Sequence, residues 1–394
     1  MNTDAMNNSI GHVPSRTVPK KTGTRITLVI SSLGAGGAER VMSTMANYWA
    51  ENGRDVTLIT LASAYEDFYV LDHRVHRIGL GFRVISAPHF AAGLRNNFRR
   101  VRRLRQEIRG SRPDVVLSFI NRMNVLTLAA SLGLRIPVIA AEHTEPREYP
   151  IGSRWLWLQY LLYPRAAAVV VLTHSARNWH ERFVRSNVIH VIPNPVSISA
   201  MKHNGASVQK GPGGRIAAMG RLSEEKRFDL LLQAFARCAR KYPDWSLTIL
   251  GEGDERNRLE TLTRELGIKD QVSLPGRVHD PATVLRKADL FVLASRFEAF
   301  PMALLEAMAC GLAVISTNCS GPREIIRDGV NGLLVPSDDL EGLATAMERL
   351  MADQAARERL GAHAVEVLER FSTEKIMGTW DLLFTRTSRC RTHE

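Results

Sequence analysis

At 394 residues the chain is longer than one hydrophobic core usually organises, so two domains are expected. Its composition is that of a globular protein in water, and no apolar run reaches the roughly 18 residues of a membrane-crossing helix. Four cysteines without a CxxC pair argue against a disulfide framework or a zinc site, which leaves a reducing cytosol as the expected compartment, and a net charge of +12 asks for an anionic partner.

Residues 1–24 are polar with scattered Pro, Gly and Lys and have no apolar core of signal-peptide length, so they read as a disordered lead-in. Arg25–Ser31 follows as a strand, Leu33–Gly37 as a glycine turn and Ala38–Glu51 as an amphipathic helix. Val56–Leu61, Val115–Ser118, Val138–Ala141, Ala168–Leu172 and Val188–Ile192 continue the strands, with helical patterns between most of them. That alternation predicts a parallel, doubly wound sheet over residues 25–195. Pro193–Gly214 is rich in Pro, Asn, Ser and Gly and lacks apolar periodicity, so residues 196–214 read as a linker. A second series spans 215–371, with strands Arg215–Met219, Leu247–Leu250, Val272–Leu274, Leu290–Leu293, Val314–Thr317 and Leu333–Val335. Its helices are expected at Phe228–Lys241, Arg256–Leu266, Leu340–Met351 and Ala355–Arg370. The charge is uneven: Arg25–Pro195 carries 22 Arg and no Lys against 12 acidic residues, whereas Arg215–Glu394 has 25 basic against 27 acidic.

The chemistry concentrates after the strand Leu290–Leu293. A loop, Ser295–Pro301, carries Glu298; a helix, Met302–Cys310, carries Glu306, with Pro301 suited to its first turn and Gly311 to its end. The free N–H groups and partial positive charge of that helix start suit an anion. Arg221 and Lys226, in Gly220-Arg-Leu-Ser-Glu-Glu-Lys-Arg227, follow the first strand of the second series, the end at which open α/β sheets bind ligands. A rigid guanidinium and a mobile ammonium five residues apart can neutralise a diphosphate. Gly34-Ala-Gly36-Gly37 departs from GxGxxG, and the second strand ends without an acidic residue, so NAD is disfavoured. No Asp-x-Asp pair exists to hold a divalent ion on a diphosphate. His143 sits at the carboxyl end of Val138–Ala141, facing the presumed cleft.

Glu298 and Glu306, with seven residues between them, resemble the EX7E motif of retaining GT-B glycosyltransferases. The surrounding phrase, the Gly220–Arg227 segment and Gly251-Glu252-Gly253 are similar to glycosyltransferase family 4 over about residues 25–385. The resemblance implies a GT-B fold, two Rossmann-like domains with parallel doubly wound sheets facing across a cleft. The first would bind the acceptor and the second the nucleotide-sugar, and a final helix, 372–394 with its tail, would cross back to the first. It implies that Arg221 and Lys226 hold the diphosphate and that Gly36, Gly37, Gly220 and Gly251 allow close approach to the donor. Phe300, Pro301 and Met302 would offer backbone to sugar and phosphate, and Glu306 would bind the ribose. Glu298 would lie near the reacting carbon, His143 would orient a sugar, and Glu324 would lie near the nucleotide. Ala299 and Ser320 stand where the family usually has glycine. No cofactor and no metal are expected; the leaving phosphate itself can accept the acceptor's proton.

Ser31–Arg40 looks like the opening of bacterial enzymes that extend lipid-diphosphate-linked glycans. A hexose or N-acetylhexosamine on UDP and a polyprenyl-diphosphate-linked or other saccharide acceptor are therefore expected, in polysaccharide, lipopolysaccharide or glycan assembly. A GDP-mannose-dependent mannosyltransferase or a nucleotide-sugar epimerase is the alternative within the fold. A nucleic-acid-binding protein is disfavoured by sparse aromatics and the lack of a binding module. In Leu94–Arg109 the residues Leu94, Phe98, Val101, Leu104 and Ile108 form one helical stripe, and the rest carries seven Arg and one Glu. Such a helix suits an anionic membrane, with Trp155, Trp157 and Tyr160 as interfacial anchors, so peripheral association with the inner face of the cytoplasmic membrane is expected.

Overall fold

The computed structural model describes residues 24–82, 90–145, 152–196 and 213–389. The lead-in before Thr24, most of the linker and the last five residues lie outside the described residues, as does the side chain of Leu94. Among the described residues thirteen strands form two sheets. The first contains β1 Arg25–Ile30, β2 Asp55–Thr60, β3 His76–Gly79, β4 Val115–Phe119, β5 Val138–Ala141, β6 Ala168–Val171 and β7 Ile189–Val191. The second contains β8 Arg215–Met219, β9 Ser246–Leu250, β10 Val272–Gly276, β11 Leu290–Leu293, β12 Ala313–Thr317 and β13 Leu333–Val335. Their orders are β3-β2-β1-β4-β5-β6-β7 and β10-β9-β8-β11-β12-β13, with every strand pair parallel. Both are doubly wound sheets of Rossmann type, as the alternating pattern predicts.

The helices of the first half are α1 Gly37–Glu51, α2 Phe90–Ser111, α3 Asn121–Ser131, α4 Ser153–Leu162 and α5 His174–His180. Those of the second are α6 Phe228–Ala239, α7 Arg256–Glu265, α8 Pro281–Leu285, α9 Met302–Ala309, α10 Ser320–Ile325, α11 Leu340–Ala352, α12 Gln354–Ala364, α13 Val367–Arg370 and α14 Thr373–Arg389. Because helices cover both faces of each sheet, the central strands β4 and β11 are buried throughout and almost wholly apolar, Ser118 of β4 being the one polar residue in them. The sequence leaves out β3, whose His-Arg-Ile-Gly is half-exposed at the sheet edge and has no apolar run to betray it. Ser320–Ile325 is a short helix, and the expected helix Ala355–Arg370 is broken between Ala364 and Val367.

After α13 the chain returns to the first sheet. Ile376, Met377, Trp380, Leu383 and Phe384 of α14 join the core formed by β1, β2, β4 and α1. Phe384 lies 5.0 Å from the ring of Trp49, and Asp381 accepts hydrogen bonds from Trp49 Nε1 (3.2 Å) and Arg54 (2.8 Å). Val196 bridges to Ser372, so the strands of chain leaving and re-entering the first half run side by side. Trp380 is almost fully buried, so Trp380→Ala should remove about 3–5 kcal/mol of stability. A urea titration should show the transition of the first half moving to lower denaturant while the second half keeps its own.

Candidate functional site

In a doubly wound sheet the crevice opens where the strand order reverses, beside the carboxyl ends of the strands. Here those points lie between β1 and β4 and between β8 and β11. After β1 the chain makes a tight turn in which Gly36 N–H donates to Gly34 O at 2.8 Å, and Gly36 caps α1. The loop after β2 braces this turn: Phe68 N–H donates to Leu33 O (2.8 Å), and the Tyr69 hydroxyl donates to Gly36 O (3.1 Å). Burial pushes the Tyr69 hydroxyl up to about 12, so it stays a donor.

The facing half comes from the second sheet. Gly251 has φ 142°, and a Cβ there would run into the carbonyl of Gly220; one at Gly253 would strike Leu222 O. Only glycine lets the loop after β9 pack onto the Gly220–Ser223 turn. Arg221 is exposed on that turn. Lys226 Nζ reaches across from β8's loop to β11's loop and donates to Glu298 Oε1 at 2.6 Å, while Ser295 Oγ donates to the same oxygen at 2.8 Å. Pro301 is the N-cap of α9, one residue ahead of the first turn expected for it, and Gly311 ends the helix with φ 74°. The side chain of Phe300 turns into the core against Phe371, so only its backbone is available to a ligand. Glu306, one turn into α9, is buried, and burial raises its carboxyl despite a cation beside it.

That cation belongs to the other half. Arg40 of α1 comes within 2.6 Å of Glu306 Oε1, as an ion pair without an aligned hydrogen bond; both carboxylate oxygens lack a hydrogen-bond donor among the described residues. Its neighbour Glu39 folds over Gly36, its carboxyl raised by burial, with its own backbone N–H and the Arg221 guanidinium pulling in the opposite direction. Three further contacts cross the cleft. Phe68 stacks on His279 with centroids 4.7 Å apart, Ser320 Oγ donates to Glu145 Oε2 (2.7 Å), and His174 N–H donates to Glu324 Oε1 (2.9 Å). Ser320 Oγ also approaches Glu298 O at 3.0 Å, so the residue replacing the family's glycine ties the Glu298 loop to the first half.

His143 stacks on Phe119 at 3.9 Å with Nε2 buried and unpartnered among the described residues. Burial lowers it to about 3, so it is a neutral imidazole at working pH, able to orient a hydroxyl rather than carry charge. Behind it, Glu142 accepts from Asn124 (3.2 Å), Gln159 (3.4 Å) and Tyr163, and burial raises it to about 7.

The cleft thus brings together Gly36, Gly37, Arg221, Lys226, Glu298, Met302 and Glu306 around one space, with Gly220 and Gly251 shaping its floor. Glu324 is placed at its side, occupied by a cross-cleft bond. Arg40, Glu39 and Glu145 are the participants that sequence reasoning passes over, and Ser320 is notable there only for standing where the family usually has glycine. Glu39 and Arg40 directly follow the glycine turn, and that adjacency was the one signal available for them. No cluster of three or more His, Cys, Asp or Glu suited to a metal lies among the described residues.

Known proteins resemble this chain along nearly its whole length. Residues 35–200 match the family model described as Glycosyltransferase Family 4, and residues 206–367 the model described as Glycosyl transferases group 1. The chain is 30% identical over 359 residues to the Campylobacter jejuni "GalNAc-alpha-(1->4)-GalNAc-alpha-(1->3)-diNAcBac-PP-undecaprenol alpha-1,4-N-acetyl-D-galactosaminyltransferase", covering 90% of this chain and 97% of that protein. It is 26% identical to the amylovoran biosynthesis glycosyltransferase AmsD of Erwinia amylovora, over 88% of this chain and 95% of that one. Among solved structures, Anabaena HepE in complex with UDP and glucose superposes with a TM-score of 0.77 at 19% identity, over 92% of this chain and all of that one. The two sheets face each other as in the GT-B fold.

The Glu142 network makes a stability prediction. Its folded value, about 7, exceeds the ordinary 4.5, so the folded state binds the proton more tightly between those values. This contribution is fully present below pH 4.5 and is lost as pH rises through 7, up to about 3 kcal/mol in all. Melting followed from pH 5 to pH 8 should show Glu142→Gln lacking that part of the decline; parallel profiles for the two proteins would contradict the assignment.

Proposed function

Since the chain belongs to the glycosyltransferases that join a Glycosyltransferase Family 4 domain to a Glycosyl transferases group 1 domain, we propose that it is a retaining enzyme using a nucleotide-diphosphate sugar, with UDP as the nucleotide. It moves a hexose or N-acetylhexosamine onto a saccharide carried on a polyprenyl diphosphate. The observation that carries this is the meeting of Lys226 with Glu298 beside the start of α9, opposite the glycine turn of the other half. Arg221, Lys226 and the first N–H groups of α9 supply positive charge for the leaving diphosphate, so the reading includes no metal. Glu306 presents two oxygens able to accept from ribose hydroxyls. Glu298 is placed to favour an oxocarbenium-like transition state once the diphosphate draws Lys226 away from it. His143 orients a sugar hydroxyl as a neutral imidazole, and the leaving phosphate takes the acceptor's proton. The lipid-diphosphate acceptor is supported by the name of the Campylobacter relative and the UDP donor by the ligands of the Anabaena structure.

The reading places the enzyme at the inner face of the cytoplasmic membrane, with α2 and α4 turned towards it. Leu104 and Ile108 of the α2 stripe pack inward and Val101 is half-buried, but Phe98 is 66% exposed beside the exposed Arg95, Arg99, Arg102, Arg103 and Arg109. On α4, Trp157 is 64% exposed with Tyr160 and Leu161, whereas Trp155 is partly covered under Arg122. No helix among the described residues is long and apolar enough to cross a membrane.

Arg221→Ala and Lys226→Ala should each weaken UDP binding by about 1.5–3 kcal/mol in a calorimetric titration. Unchanged affinity in both would remove the site assignment, and an inverted anomeric linkage in the product, read by NMR, would remove the retaining mechanism. Binding to anionic vesicles should fall in high salt and when Arg99, Arg100, Arg102 and Arg103 are changed together to Ser. Equal sedimentation with neutral vesicles would argue against an electrostatic attachment.

A further inference from the structure

The ion pair between Arg40 and Glu306 joins two helices that approach each other by their amino ends. Gly37 begins α1 and Met302 begins α9; a Cβ on Gly37 would lie 3.9 Å from the Met302 side chain. One turn further along each helix stand Arg40 and Glu306, 2.6 Å apart. Glu306 is 4% exposed and Arg40 26% exposed, so the carboxylate is fixed and enclosed while the guanidinium keeps a path to the cleft. Neither Glu306 oxygen accepts a hydrogen bond among the described residues, so Coulombic attraction is its compensation for burial. The same pairing recurs one residue earlier with the signs exchanged. Glu39 folds over the cap of α1, where the helix dipole favours an anion, and feels Arg221 from the second half.

These two contacts occupy the positions that a nucleotide-sugar needs: a carboxylate for ribose hydroxyls, and a cation with a helix start for phosphate. We propose that Arg40 is a donor-contacting residue that changes partner. Before the donor enters, it neutralises Glu306. When the ribose hydroxyls take the Glu306 oxygens, it swings one turn towards the start of α1 and pairs with the diphosphate opposite Arg221 and Lys226, while Glu39 yields its place to phosphate. The first half thereby contributes a charge of its own to the leaving group. This inference rests on the nucleotide-sugar reading above.

The test separates ribose from phosphate. Dissociation constants for UDP and for uridine are measured on the unaltered chain, Arg40→Met and Arg40→Lys, with GDP and guanosine in parallel. Arg40→Met frees Glu306 from its competitor, so uridine should bind as well as before or better. The diphosphate loses a charge-assisted contact, so the UDP-to-uridine affinity ratio should fall tenfold or more. Arg40→Lys, which keeps the charge and guards against a variant that does not fold, should lose less of the ratio. A ratio unchanged in Arg40→Met, whether both ligands weaken together or tighten together, overturns the proposal while leaving the donor reading in place. Binding of neither diphosphate by the unaltered chain defeats the donor reading, and this proposal with it.

Discussion

Parallel strands joined by crossovers deliver all their carboxyl ends to one edge of a sheet, and every chemically useful side chain of this protein depends on that constraint. Gly36 and Gly37 follow β1, Arg221 and Lys226 follow β8, and Glu298 follows β11. His143 follows β5 and Ser320 follows β12. Residues separated by more than 150 positions meet because two such edges are turned towards each other. The return of α14 to the first sheet, anchored by Trp380, Phe384 and Asp381, ties the second half to the first by a route other than the linker.

Electrostatics across the cleft is arranged in pairs rather than as one basic pocket. Lys226 is matched by Glu298, Arg40 by Glu306, and Arg221 faces Glu39. A buried carboxylate such as Glu306 is costly unless it is paired, and the loss of one partner of such a pair typically removes about 3–5 kcal/mol. Each cation that a diphosphate would recruit must therefore leave an acid behind. The ribose hydroxyls can compensate Glu306, and Ser295 already shares Glu298 with Lys226. Exchange of partners inside the cleft is thus cheaper than creation of new charge, which suits the proposed binding and release of a diphosphate.

Much of what holds these groups is rigid. Gly251 and Gly253 allow two loops to touch backbone to backbone where any Cβ would intrude. Asn124 bridges Ala141 O, Glu142 and Tyr163, so the segment leading to His143 is fixed by a buried polar network. Glu145, two residues beyond His143, has one oxygen bonded to Ser320 and the other buried without a partner among the described residues. The Ser320 hydroxyl in place of a glycine therefore couples the Glu298 loop to the first half.

The sequence by itself determined most of the strands, because a sheet covered on both faces requires largely apolar runs, and those runs are visible in Ile26–Ile30, interrupted only by Thr27, and in Leu290–Leu293 without any partner. It also determined Glu298, Glu306, Arg221 and Lys226 as candidates, since their spacing relative to strand ends is local and resembles a known motif. Edge strand β3 stayed hidden because a half-exposed His-Arg-Ile-Gly pays no apolar signature for its pairing. Tertiary structure alone decided the partners. That Arg40 belongs to Glu306, 266 positions away, follows from two helices meeting by their starts, a fact of domain placement that no periodicity encodes. Likewise α2 reads as one apolar stripe, yet its packing differs along its length: Leu104 and Ile108 are buried in the core, Val101 is partly covered by it and Phe98 stays outside.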